Sequence, residues 1–144
     1  MKGFKLNFIH LCDDASFSQE GKLSIIGIFD VVHLTNIPGT LVRAYLVSNF
    51  TVLDNDLKEA KIAVKVKNKK NNEEVIKTPE LTVNVPGVNQ PVGSKQKTLG
   101  LSLQLVNMTF KETGEYLIEV EINGEKIGEY TFFVNLVKSP KEVN

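Results

Sequence analysis

Residues 98–105 read TLGLSLQL. Leu99, Leu101, Leu103 and Leu105 alternate strictly with Thr98, Gly100, Ser102 and Gln104. A helix turns about 100° per residue, so leucines two apart cannot share a helix face, whereas successive side chains of a strand point to opposite faces. The stretch is therefore a strand with one face on a core and one in water. The same period governs two more stretches. Ile62, Val64 and Val66 alternate with Lys61, Lys65 and Lys67, with Ala63 the small exception on the outer face. Tyr116, Ile118, Val120 and Ile122 alternate with Glu115, Leu117, Glu119 and Glu121.

Turn signals separate these runs. Asn123-Gly124 suits a type I′ hairpin turn, which needs positive φ at both central residues. Asn68 to Asn72 closes another hairpin, Gly21 ends a polar loop, and Pro38-Gly39 marks a further turn. Strands are expected near residues 4–12, 22–34, 42–53, 60–67, 74–85, 97–106, 114–123 and 126–137, with a short helical turn at most in 54–59. Short strands at such spacing predict an all-β fold, a single antiparallel sandwich of about seven to nine strands. The domain is expected over residues 1–137, with 138–144 as a flexible C-terminal tail. Its expected core includes Phe8, Leu23, Ile25, Ile62, Val64, Leu101, Leu103, Tyr116, Ile118, Val120, Phe132 and Val134. Pro86 to Lys97 reads as a slack crossing between sheets, with a ligand- or partner-contacting loop as the alternative.

Composition narrows the function. The 144 residues carry 17 Lys and Arg against 17 Asp and Glu, a net charge of zero. A nucleic-acid or anionic-membrane partner calls for a basic surplus, so neither is expected. The single cysteine cannot form an internal disulfide, and no apolar run is long enough for a signal peptide or a membrane helix. A cytoplasmic setting is the expectation.

The stretch Cys12-Asp13-Asp14 holds the one cysteine, close to one of two histidines. On a strand His10, Cys12 and Asp14 share a side, and His33 can approach if the second strand pairs back antiparallel. Imidazole, thiolate and carboxylate are all zinc ligands, which makes these four residues the candidate metal or small-ligand site. Against this, Leu6 and Phe8 share their parity, so the side reads as the core face, where a free cysteine acts as a small hydrophobe. Asp13-Asp14 then serves as a turn device. Asp54 and Asp56 resemble an acidic calcium loop but lack its glycine and distal glutamate. No phosphate loop, nucleophile elbow or His-Glu-x-x-His run is present, so no catalytic residue and no cofactor is assigned.

Two features point to partners. Residues 22–34, KLSIIGIFDVVHL, are apolar on both parities around Ile25, Ile26, Ile28 and Phe29. Either Gly27 marks a bulge that exchanges the faces, or the chain itself covers the outer side, or Ile26 and Ile28 form an interface with a second copy or another protein. The lysines at 61, 65 and 67 and the glutamates at 115, 119 and 121 form cross-strand pairs if adjacent, or two opposed charged surfaces if apart.

Glu112-x-Gly114-x-Tyr116 before an alternating strand resembles the tyrosine corner of immunoglobulin-like sandwiches. That resemblance implies that the Tyr116 hydroxyl bonds back to the chain upstream. Glu112 replaces the commoner aspartate, and the cysteine pair and core tryptophan of antibody domains are missing, so an antibody relative is not implied. The opening CDDASFSQEGKLSIIGIFD, together with GEYLIEVEING, resembles an uncharacterised family of small bacterial proteins. It implies a stand-alone domain with no established activity. The functional expectation is a non-enzymatic cytoplasmic binding or assembly module.

Overall fold

The computed structural model describes residues 3–54, 56–85 and 97–138. It is an all-β sandwich of ten strands among those residues: β1 Phe4–Phe17, β2 Leu23–Ile28, β3 Val31–Leu34, β4 Gly39–Val52, β5 Glu59–Asn68, β6 Glu74–Lys77, β7 Leu81–Asn84, β8 Lys97–Phe110, β9 Gly114–Ile122 and β10 Glu125–Leu136. One sheet runs β2-β1-β4-β8; the other runs β3-β10-β9-β5-β6, with β7 also on β5. The count exceeds the expected one because 22–34 and 74–85 each divide into two strands. All pairs are antiparallel except β3 with β10, which is parallel, so the second sheet is mixed. Before β5, Asp54 Oδ1 accepts from the Asp56 amide at 2.9 Å and the Asp54 carbonyl from the Leu57 amide at 3.3 Å.

The period-two rows meet between the sheets. Ile62, Val64, Leu101, Tyr116, Ile118, Val120, Phe132 and Val134 are buried as expected, and Leu103 packs against them half-buried. From β4 come Ala44, Leu46 and Phe50, which sequence reading did not single out. Phe110, Tyr116 and Phe132 form an edge-on and stacked aromatic group with ring centroids 4.9–5.9 Å apart. The Tyr116 hydroxyl donates to the Glu112 carbonyl at 2.7 Å, which is the tyrosine-corner geometry. Asn123 and Gly124 have φ of 54° and 81°, as a type I′ turn requires.

Three expected core residues lie elsewhere. A bulge between Leu6 and Phe8 inserts Asn7 and exchanges the faces of β1. Phe4, Leu6, Ile9 and Leu11 consequently pack into the core, while Phe8 turns to the outer face, half-buried. Leu23 and Ile25 lie on that outer side with it. Residues 86–96 of the expected crossing loop, and all but Lys138 of the expected tail, lie outside the described residues.

Candidate functional site

Across the outer face of the four-stranded sheet, Phe8 stands opposite Asn49, and Asn49 opposite Gly100. Phe17 lies nine residues past Phe8. A straight strand would carry it about 30 Å away. Instead its ring carbons lie 3.5 Å from the position a Cβ would take at Gly100. The end of β1 and all of β2 therefore form a hairpin arm that arches back over the sheet.

The bend has a local cause. Between the pairs Cys12–Ile28 and Asp14–Ile26, Gly27 sits at φ +70°, a region that suits glycine. The Asp13 carboxylate occupies the space where any Cβ at 27 would go. The arm ends in a turn closed by Ser18, whose Oγ accepts from the amides of Glu20 at 3.3 Å and Lys22 at 3.1 Å. The strand thus continues to Phe17 and does not end at Cys12 as expected.

The arm has two unlike faces. Leu23, Ile25 and Phe17 look onto the sheet and, with Phe8, Asn49 and Gly100, line a groove of about 580 Å³. At its base Asn7 Nδ2 donates to Asn49 Oδ1 at 2.8 Å and to Thr51 Oγ1 at 2.9 Å. The opposite face carries Ile26, 62% exposed, and Ile28, 56% exposed. Ile28 also borders a second groove of about 350 Å³ with Phe29, Val31, Val32, Leu41, Asp13 and His33. Asp13, Asp14 and Asp30 are exposed around this apolar surface, and none makes an ion pair among the described residues. The doubly apolar run is thus half covered by its own chain and half uncovered.

The four candidate ligands are not brought together. Cys12 is fully buried, and its Sγ donates to the Tyr45 carbonyl at 3.5 Å. Burial pushes its thiol up; the Asp14 amide opposes this, and the Asp13 and Asp14 charges add to it. A thiol held protonated is neither a ready nucleophile nor a ready metal ligand. His10 is half-buried with its ring stacked on Phe8, centroids 5.8 Å apart. Asp14 is exposed, its Oδ1 accepting from the Ala15 amide at 2.9 Å. His33 is exposed on β3, which pairs with β10 in the other sheet and not with β1. No three of His, Cys, Asp and Glu gather to hold a metal among the described residues.

The lysine and glutamate rows are adjacent. Lys65 faces Glu119 across β5 and β9, and the Glu119 carboxylate meets Lys67 Nζ at 2.8 Å and Lys126 Nζ at 3.6 Å. They form a mixed ladder, not two opposed charged surfaces. Sequence reading missed the groove under the arm. Its signals were Phe17, the two-sided apolar run and Gly27, but nothing in a period of two says that a strand doubles back.

This architecture defines an immunoglobulin-like β-sandwich domain. The chain belongs to a family of unknown function, DUF6941, whose model matches residues 7–135. No curated protein matches the sequence. Among solved structures, it is similar to an alkylpurine DNA glycosylase from Pseudomonas fluorescens, AlkC, bound to DNA containing an abasic site analog, with TM-score 0.58 and 8% identity over 93% of this chain and 31% of that one. The C-terminal domain of wzt matches with TM-score 0.53 and 10% identity over 96% of this chain and 76% of that one. A β-glucosidase from Listeria innocua in complex with glucose matches with TM-score 0.51 and 9% identity over 92% of this chain and 16% of that one. The chain therefore spans less than a third of either enzyme, and at these identities the likeness is one of fold.

Proposed function

We propose that the chain is a non-enzymatic binding or assembly module of the cytoplasm, and that it contacts its partner through the outward face of the arm. The observation that carries this reading is the pair of isoleucines, Ile26 and Ile28, more than half exposed beside an apolar groove. Exposed aliphatic side chains grouped around a groove mark interaction surfaces more often than chance exposure does. The bordering Asp13, Asp14 and Asp30 give the partner its chemistry: a protein segment with an aliphatic side chain for the groove and lysine or arginine flanking it. The cytoplasmic setting rests on the lone thiol, since compartments that favour disulfides favour paired cysteines.

A photo-crosslinking residue placed in turn at Ile26, at Ile28 and at Lys61 on the far sheet tests this. One defined protein should be captured from the first two sites and not from the third, and Ile26→Lys with Ile28→Lys should abolish its binding once both proteins are purified. Equal capture from Lys61, or unchanged binding by the double variant, removes the arm as the contact surface.

A further inference from the structure

A strand with one unpaired side offers a row of free N–H and C=O groups, and folded proteins blunt such edges by shortness, charge, proline, a bulge or a cover. Among the described residues the edges of this sandwich are β2 and β8 in one sheet and β3, β6 and β7 in the other. β3 and β7 are four residues long; β6 is also four, and starts at Glu74 and ends at Lys77. β2 has six residues and is interrupted by the left-handed Gly27. β8 is different. It has 14 residues, and from Thr98 to Phe110 it contains no charged residue and no proline. Its one left-handed residue is Asn107, at φ 53°, which leaves Thr98–Val106 as a regular edge, paired on its inner side to β4 without a break.

We propose that β8 pairs with β8 of a second copy, antiparallel about a two-fold axis perpendicular to the sheet, so that two four-stranded sheets become one of eight strands. A second copy fits because an antiparallel edge is complementary to itself, as a two-fold interface requires. The axis also keeps the faces matched. The leucine row at 99, 101, 103 and 105 continues into its own copy, and so does the neutral row at 98, 100, 102 and 104. Centred on Ser102, the pairing sets Gly100 opposite Gln104 and Thr98 opposite Val106, and Lys97 falls opposite Asn107, so no like charges meet. On the outer face Gly100, with the Phe17 ring of its own arm over it, brings no side chain of its own against Gln104 of the second copy. Pairing over Thr98–Val106 supplies on the order of ten backbone hydrogen bonds, as many as a typical stable interface holds. This surface does not include Ile26 or Ile28, so it stands or falls separately from the partner reading above.

Sedimentation velocity on the full chain tests it. The expected species is a dimer of twice the 16.0 kDa chain mass. Ser102→Lys sets two ammonium groups face to face at the axis and should weaken the dimer by about tenfold or more. Mixing S102K with S102E chains should restore it as a heterodimer. Hydrogen exchange gives a reading that needs no variant: the amides of Thr98–Val106 directed away from β4 should be protected in the concentrated protein and lose protection on dilution. A chain that stays monomeric at its highest soluble concentration overturns the proposal. So does a dimer that S102K and S102E both leave intact and Ile26→Lys dissociates.

Discussion

Glu119 shows how one residue on a solvated strand face acquires a measurable role. Its carboxylate lies on β9 between Lys67 and Lys126, with only 13% of the side chain exposed. The Lys67 hydrogen bond holds its carboxyl below the usual range; burial opposes this, and the charges of Lys67, Lys126 and Lys65 reinforce it. A carboxyl with a folded pKa below its unfolded value of about 4.3 stabilises the fold above that value. The stabilisation is lost as the pH falls through the ordinary carboxylate range toward the folded pKa. Glu119→Gln should therefore lower stability at pH 7 by about 1 kcal/mol, as a favourably placed pair does, with the gap closing in acid. Urea unfolding of both chains at neutral and at acidic pH reads it; an equal gap at both would mean that shape and not charge sets the role of this residue. The rows that form the ladder were plain in the alternation of residues 61–67 and 115–121, but their adjacency was not. Alternation fixes which face a side chain takes, not which strand lies beside it.

Among the elements, the arm is the part that the sequence disclosed least. Leu99–Leu105 and Tyr116–Ile122 bury the rows that alternation predicts. β1 breaks the rule at Asn7, where one inserted residue moves Phe8 out of the core and Ile9 into it. The same bulge puts His10 and Cys12 on the outer face with Val47 and Tyr45, not on the core face that their parity with Leu6 implied, and the candidate metal site is unformed because His33 lies on the other sheet. Gly27 is the hinge on which the arm depends. Gly27→Ala should cost about 1–2 kcal/mol, the price of a left-handed non-glycine residue, and should push Asp13 aside as well. The sandwich should survive while the tip of the arm lifts. In NMR spectra the resonances of Gly100, Asn49 and Thr98 should then move with the loss of the Phe17 ring, and those around Tyr116 should stay. Shifts confined to the neighbours of residue 27 would show that the arm is seated without this glycine.

On the scale of the whole molecule, the strand order β2-β1-β4-β8 sets the root of the arm and the β8 edge on opposite sides of one sheet, and the arm's return brings Phe17 to Gly100 on that edge strand. A parallel β3 beside β10 and a strand that doubles back are long-range choices, made by tertiary contact and not by local pattern, which is why the fold class was legible and this arrangement was not. One feature at the root of the arm lets the molecule report on itself. Cys12 is the sole thiol, fully buried where the arm begins. A thiol-reactive dye can modify it only in molecules that have opened, so the labelling rate in fast exchange between closed and open forms measures the free energy of opening. Labelling that tracks global unfolding across urea concentrations would make arm and sandwich one cooperative unit. Labelling well below the urea midpoint, with little dependence on urea, would mean that the arm detaches alone, and the expected result is this second one, because Phe17, Leu23 and Ile25 face a groove and bury far less surface than the core.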